Sequence, residues 1–469
     1  MKYKNIHFVG ISGIGMSGLA RIFTQMGAKV TGSDLKINDI ALKLIDNGAL
    51  IHQGHSRENL PRNAEIVVYS SAISKDNPEI QKALEMNIPV VQRAFLLDIL
   101  MKDRYSIAVT GTHGKTTTSS MLGMALLKGG YDPTIVVGGQ FSSFDLNARL
   151  GRGKYLVAEA DESDASFLQL TPSAAIITNI YTDINLNCDY FKNCGFESKK
   201  VLDRVVGSFK EFINKVPDNE IIMACADCDN LQVLIKKNGR KFYTYAIDNK
   251  ADFTARDIRY IDLGSVSKIY HKEKYIGDLE LSIPGKYNIL NCLAAISVSM
   301  LLGIDFNNTA NVFKEYRGQK RRFQILGEKN GILVVDDYAH NPTKIKSVLN
   351  GAKMSSRRVI AVFQPHRYSR TKFMFDEYSH SFKSADTVIV TDVYSADEKP
   401  IEDINSVKIA ELIKKNSNCD EVIYIPDSSC IVDYLIKKCR KNDLVITLGA
   451  GDVNLIGEKL LNSLMYVAA

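Results

Sequence analysis

The sequence predicts an α/β protein of three domains, each built on a mainly parallel sheet. Three observations carry this reading. Short apolar runs bounded by polar turns alternate with helix-period stretches along the whole chain, the pattern of repeated βαβ units. Two glycine-rich turns, Gly13 to Gly18 and Gly111 to Gly114, each join an apolar run to a helical stretch. The 469 residues exceed one ordinary core, and domains of roughly 100–200 residues make three the natural number.

Composition narrows the function class. Hydrophobic residues are 45% and charged residues 24%, with no low-complexity tract, which is the balance of a soluble globular chain. The opening MKYKNIHFVG runs straight into a strand without a cleavable apolar segment, so the expected location is the cytoplasm, with no membrane partner. A net charge of +6 allows an anionic substrate, but no basic stripe interleaved with aromatics points to nucleic acid. Eight cysteines are scattered as reduced thiols would be; Cys225 and Cys228 form a CxxC with no second pair or nearby His to complete a zinc site.

In chain order, the strand Asn5 to Gly10 leads into GISGIGMSGLARIFTQMG, and a second strand, Lys29 to Thr31, ends at Ser33-Asp34. Gly13, Gly15 and Gly18 make a GxGxxG at a strand-to-helix turn, with Asp34 at the distance a ribose-binding acid would occupy. Alone, this spells a Rossmann-like dinucleotide fold and a nicotinamide-dependent oxidoreductase. The glycines, however, recognise a diphosphate rather than nicotinamide, so any diphosphate ligand fits the turn. The strand Glu65 to Tyr69 then delivers Ser70 and Ser71 to the carboxyl edge of a parallel sheet. This first domain is expected over residues 1–104.

The second domain, residues 105–318, opens on YSIAVTGTHGKTTTSS. Ser106 to Val109 reads as a buried strand and Thr116 to Lys128 as a helix, with a P-loop-type phosphate cradle between them. Gly111 and Gly114 let backbone N–H groups approach an anion, the helix start adds partial positive charge, Lys115 adds a full one, and Thr116 can ligate Mg²⁺. Only two residues separate the glycines where the general P-loop has four, and an ordinary corner with a surface lysine has the same spacing. Strands at Thr134 to Val137, Tyr155 to Ala158 and Ala174 to Thr178 end in Glu159, Asp161 and Glu162, then Asn179 and Asp183; oxygen ligands at such edges suit Mg²⁺. IPGKYNILNCLAAISVSMLLGI reads as an amphipathic helix over Ile283 to Ile304, with Asn288 and Asn291 one turn apart. GQKRRF marks the joint to the third domain, residues 319–469, whose strands Ile332 to Val335, Val359 to Phe363, Thr387 to Thr391, Val422 to Ile425 and Leu444 to Leu448 again alternate with helical patterns.

The motifs FVGISGIGMSGLA, VVYSSAI, VTGTHGKTTTS, EADESDASFL, IPGKYNILN, KRRF, VDDYAHNP, FQPHRYSRT and LGAGD, in this order, resemble the Mur ligases over nearly the whole chain, and within them the alanine-adding branch. In that family a short GTxGKT loop replaces the longer P-loop. The resemblance implies an N-terminal Rossmann-like domain that holds UDP rather than NAD, a central P-loop-type ATPase domain and a C-terminal Rossmann-like domain that binds the amino acid and closes on the ligands. The implied reaction is ATP-dependent joining of L-alanine to the lactyl carboxylate of UDP-N-acetylmuramate through an acyl phosphate, in peptidoglycan synthesis, with Mg²⁺ or Mn²⁺. A monomer or weak homodimer is expected.

By the same resemblance, Gly13, Gly15, Ser33, Asp34, Ser70, Ser71 and Arg93 surround UDP, with His52 and His55 nearby. Gly111, Thr112, His113, Gly114, Lys115, Thr116, Thr117, Asn288, Asn291, Arg321 and Asp336 meet ATP, with Arg322 as an alternative to Arg321. Thr116, Glu159 and Asp183 are the metal candidates. Tyr338, His366, Arg367 and Arg370 meet the amino acid, since Arg forks match planar oxyanions; Lys115, Glu159, His340, Arg367 and Arg370 carry the chemistry. The chain departs from the family pattern at Ile184, where a metal-binding His is usual, and at Asn341, Phe95, Ser12 and Tyr287. A catalytically weakened UDP-sugar-binding homologue and a ligase that recycles a murein tripeptide are the alternatives.

Overall fold

The computed structural model describes residues 2–139, 147–182, 190–191, 198–396 and 398–464. The chain divides into two compact units, one of Met1–Arg256, Lys268–Leu279 and Leu290–Phe313, the other of Asp257–Ser267, Glu280–Ile289 and Lys314–Ala469.

The first unit contains a five-stranded parallel sheet of β1 (Asn5–Val9), β2 (Lys29–Asp34), β3 (Leu50–Gln53), β4 (Ile66–Tyr69) and β5 (Val90–Gln92), in the order β3-β2-β1-β4-β5. Because β2 and β4 flank β1, the strand order reverses there, and the crevice beyond the strands' carboxyl ends lies at Gly10, Asp34 and Ser70. The short β3 and β5 are not legible in the sequence, being three or four residues long and only partly buried.

A ten-stranded sheet follows, of β6 (Tyr105–Thr110), β7 (Thr134–Val136), β8 (Ala148–Arg149), β9 (Tyr155–Glu159), β10 (Ala174–Ile177), β11 (Ile222–Cys225), β12 (Tyr243–Ala246), β13 (Phe253–Ile261), β14 (Gly264–His271) and β15 (Lys274–Leu281). Its order is β15-β14-β13-β12-β11-β10-β6-β9-β7-β8. β6 lies between β10 and β9, parallel to both, so the loop after β6 is flanked by the carboxyl ends of two parallel strands. That arrangement brings Glu159 and Thr178 beside the glycine loop.

In the second unit β16 (Gln324–Lys329), β17 (Ile332–Asp337), β18 (Arg358–Phe363), β19 (Thr387–Val390), β20 (Glu421–Tyr424) and β21 (Asp443–Leu448) run in the order β16-β17-β21-β18-β19-β20, parallel except for β16. Alternate residues enter two separate cores: Leu333, Val335, Ala361 and Phe363 on one face, Ile332, Val334, Ile360 and Val362 on the other. Strands buried on both faces form a rigid floor, and each of these Val, Leu, Ile and Phe side chains contributes roughly 1.5–3 kcal/mol. The helix expected over Ile283 to Ile304 runs Lys286–Leu301 and is not amphipathic: every residue from Asn291 to Ser299 is buried.

Candidate functional site

The loop after β6 is shaped by what surrounds it. Gly111 has φ +130° and Gly114 φ +86°, conformations that favour glycine. A Cβ at Gly111 would stand 2.1 Å from Thr178 Oγ1, and one at Gly114 2.3 Å from Asn291 Oδ1. The end of β10 clamps the loop: Asn179 Oδ1 accepts the His113 N–H at 2.8 Å, Asn179 O accepts Thr112 N–H at 3.1 Å, and Thr178 Oγ1 donates to His113 O at 2.6 Å. Tyr181 N–H donates to Thr112 Oγ1 at 2.8 Å, and its ring lies 5.6 Å from that of His113. The helix Lys115–Lys128 then starts with Thr116 buried and Thr117 partly exposed, and the Thr118 hydroxyl bonds Asn291 Oδ1 at 3.2 Å.

Lys115 is the cation at the centre of an acidic group. Its ammonium donates to Glu162 Oε2 at 2.6 Å and Gly111 O at 2.9 Å, with Asp161 Oδ1 at 3.8 Å. Burial works against the charge, but Glu162, Asp161 and Glu159 outweigh it and hold Lys115 above the ordinary lysine range. Burial pushes the Glu162 carboxyl up to about 7, against the pull of Lys115. Glu159, ending β9, is partly exposed and accepts the Gly138 N–H at 2.8 Å. A Cβ at Gly138 would stand 2.7 Å from that carboxylate, so this close approach requires glycine at 138. Oxygen ligands at Thr116 and Glu159 beside a helix start fit a hard divalent cation. Asp183 and Ile184, and with them the altered second-metal position, lie outside the described residues. Among the described residues no cluster of three or more His, Cys, Asp or Glu forms a metal site, and Cys225 and Cys228 are buried free thiols.

In the same unit, the edge of the first sheet gathers Gly13, Gly15, Asp34, Ser70, Ser71 and Arg93. Gly13 caps the helix Ile14–Gln25, and a Cβ at Gly15 would meet the Arg93 side chain at 3.1 Å, so Arg93 lies across the turn. Asp34 accepts the Ser12 N–H at 2.9 Å, fixing the turn from β2. Ser70 stands against Gly10, and Ser71 is exposed. Ser33 is fully buried: its hydroxyl donates to Glu79 Oε2 at 2.8 Å and also meets His55 Nδ1 at 3.0 Å. Glu79, which sequence reading missed, also bonds His7 Nε2 at 2.6 Å, His55, Ser56 N–H and Asn59. Ser33 thus faces an interior network rather than the open edge.

In the second unit, the carboxyl ends of β17, β18 and β21 carry a different cluster. Arg321, at φ +59°, donates to Asp336 Oδ2 at 3.2 Å and Gly449 O at 2.8 Å. Asp336 also accepts the Thr447 hydroxyl at 2.6 Å, and burial raises its carboxyl against the pull of Arg321. Asp337 accepts the N–H groups of Phe323 and Ala339, each at 2.7 Å; burial pushes it up to about 6. The guanidiniums of Arg321 and Arg322 lie 5.1 and 5.5 Å from the Tyr338 ring centre. Half-buried Tyr287 is close enough to Asp337 and Arg322 to feel both. Asn288 is buried, its amide donating to Pro284 O at 2.7 Å.

His340 donates from Nδ1 to Tyr338 O at 2.8 Å, which leaves Nε2 as its acceptor. Burial, then Lys344 and Arg370, hold its imidazole well below the usual range. His366 accepts from Arg370 Nη1 at 2.9 Å through Nδ1 and stacks on Tyr394 at 5.5 Å. Burial, with Arg370 and Arg367, lowers it to about 4. Arg367 is exposed at φ +67°, a strained backbone that points to a constrained turn. Asn341, one of the departures, caps the helix Pro342–Lys353, accepting the Lys344 N–H at 2.9 Å.

Comparison with known proteins shows which family the chain is similar to. The chain matches the family models described as "Mur ligase family, catalytic domain" over residues 5–105, "Mur ligase middle domain" over 109–299 and "Mur ligase, glutamate ligase domain" over 321–451. It is 46% identical to a UDP-N-acetylmuramate–L-alanine ligase of Geotalea uraniireducens, covering 99% of this chain and 98% of that one. It is 44% identical to the protein of the same name from Pelotomaculum thermopropionicum, with 99% and 98% covered. Among solved structures it is similar to the UDP-N-acetylmuramate-alanine ligase MurC of Thermotoga maritima, with 27% identity, a TM-score of 0.82 and 99% of each chain covered.

Proposed function

Because this chain belongs to the Mur ligase family, we propose that it is an ATP-dependent ligase joining L-alanine to the lactyl carboxylate of UDP-N-acetylmuramate. The observation that carries the chemistry is the glycine loop after β6, with Lys115 at its mouth and Glu159 at the end of the neighbouring strand. The relatives named above supply the identity of the substrates. We assign UDP to residues 1–104, ATP to 105–318 and the amino acid to 319–469. No helix among the described residues is long and apolar enough to cross a membrane, and we place the reaction in the cytoplasm, where its nucleotide substrates are.

A carboxylate is a poor acyl donor, so it first attacks the γ-phosphorus of ATP, giving an acyl phosphate and ADP. The amine of L-alanine then attacks the acyl carbon; inorganic phosphate leaves and the nitrogen loses a proton, leaving an amide. The protein's task is positioning and charge neutralisation. Backbone N–H groups at the helix end of the loop, Gly114 to Thr116, cradle the phosphates, Lys115 pairs with them, and Asn291 stands against Gly114. Thr116 and Glu159 would hold Mg²⁺, which supplies positive charge to the transferring phosphoryl group when bound. Gly13 and Gly15 receive the UDP diphosphate, with Arg93 across the turn and Asp34 holding its backbone. In the second unit, Arg367 and Arg370 meet the amino-acid carboxylate beside His366 and Tyr338, and His340 offers an unprotonated Nε2 to the ammonium. By the family resemblance, Arg321, Asp336 and Asn288 of the second unit are assigned to the nucleotide.

Phosphate release from the purified chain with Mg²⁺ tests the reading. Release that needs ATP, UDP-N-acetylmuramate and L-alanine together is expected. No release with either Mg²⁺ or Mn²⁺ refutes it, and a preference for a murein tripeptide over L-alanine moves the protein to the recycling branch.

A further inference from the structure

Resting on the nucleotide reading above, we infer that Glu162 is a positioning residue that parks Lys115 while the loop is empty and yields it to entering phosphates, so setting how tightly ATP binds. The ammonium donates to Glu162 and to Gly111 O at 2.6 and 2.9 Å, so it is folded back on its own loop. Two of its three donors are thereby committed. The Glu162 side chain is only 2% exposed, whereas a solvated acidic run would turn its carboxylates outward.

The backbone that presents Glu162 inward is a closed turn. Ala165, at φ +60°, donates its N–H to Glu162 O at 3.0 Å. Phe167 N–H donates to Asp161 O at 3.1 Å, and Ser166 N–H to the Asp164 carboxylate at 2.9 Å. The proposed reaction uses Glu159 for the metal and leaves Glu162 without a role. A buried carboxylate bonded to the phosphate-binding lysine cancels that lysine's charge until a phosphate replaces it. The pair therefore weakens ground-state nucleotide binding while keeping the ammonium within reach of the phosphates.

Calorimetry of the full chain with ADP and Mg²⁺ tests this. In Glu162→Gln the like charge is gone, and ADP should bind on the order of tenfold more tightly, with slower phosphate release because a neutral amide holds Lys115 less firmly. A folded Glu162→Gln with unchanged or weaker ADP binding overturns the inference. Glu162→Asp withdraws the carboxylate by one methylene and should give an intermediate affinity. An Asp variant that matches the unaltered protein overturns the inference too, and covers a Gln variant that fails to fold. A purely structural Glu162 would lower the melting temperature of both variants without tightening ADP. Unaltered protein that binds no ADP rejects the nucleotide reading itself, whereas ADP binding without a gain in the variants rejects only the role of Glu162.

Discussion

Lys115 in the first unit and Arg370 in the second are both offered to oxyanions in the proposed reaction, yet their surroundings are opposite. Lys115 is enclosed by acids: Glu162 bonds it, Asp161 is near, and Glu159 adds to the field. Arg370 has Arg367 on the same turn and His366 accepting its N–H, and the acid in its field, Glu398, is bonded to Ser369 rather than to the guanidinium's partner His366. The first arrangement satisfies its cation without a ligand. In the second, Glu398 offsets part of the positive charge of Arg367 and Arg370, and burial and repulsion keep the histidines neutral.

The comparison breaks at once if Lys115 is dispensable. Lys115→Ala should lower phosphate release by about a thousandfold or more, as loss of a charge at the transferring phosphoryl group does. UDP-sugar affinity, measured by calorimetry, should stay within about twofold. Comparable turnover in the variant would remove the loop from the mechanism.

Next in size is the loop's glycine requirement. Gly111→Ala places a Cβ 2.1 Å from Thr178 Oγ1 at φ +130°, a strain of about 1–3 kcal/mol before any clash. ADP binding should be lost and the melting temperature lowered. Gly15→Ala meets only the flexible Arg93 side chain, at 3.1 Å, and should change stability by less than about 1 kcal/mol. Equal effects at the two glycines would show that the turns are not different in kind.

Arg370→Lys keeps the charge but loses the fork and the donor to His366. The KM for L-alanine should rise about tenfold with the KM for ATP unchanged; a rise in both would place Arg370 elsewhere in the reaction.

The remaining effect is on pH dependence. His366 lies at about 4 in the folded protein against roughly 6.5 unfolded. Between these values the unfolded chain binds more protons, so this group's contribution to stability is present above pH ~6.5 and is lost as pH falls to ~4. His366→Asn lacks that loss. Its stability relative to the unaltered protein should improve by on the order of 2 kcal/mol across this window. A difference that does not vary with pH would mean the ring is not held neutral by its neighbours.

Much of this was legible in the sequence because it is local. The loop, its lysine and the acidic strand end are set by residues adjacent in the chain, and the ordered motifs carry the family. What was hidden depends on distant residues. Nothing near Ser33 reveals that Glu79, 46 positions later, buries its hydroxyl. The string EADESD does not say which acid turns inward to Lys115; the closed turn at Ala165 decides that. Asn341 stood out as a departure from the family pattern, and it caps a helix. The helix Lys286–Leu301 looked amphipathic and is enclosed on nearly all sides, since a single-sequence pattern cannot show how many neighbours a helix has.

The central claim is that the loop holding Lys115 activates a carboxylate as an acyl phosphate. UDP-N-acetylmuramate carrying ¹⁸O in its lactyl carboxylate tests it most directly. During turnover with ATP and L-alanine, one labelled oxygen should appear in inorganic phosphate for each amide formed. Amide formation that leaves the phosphate unlabelled would contradict it.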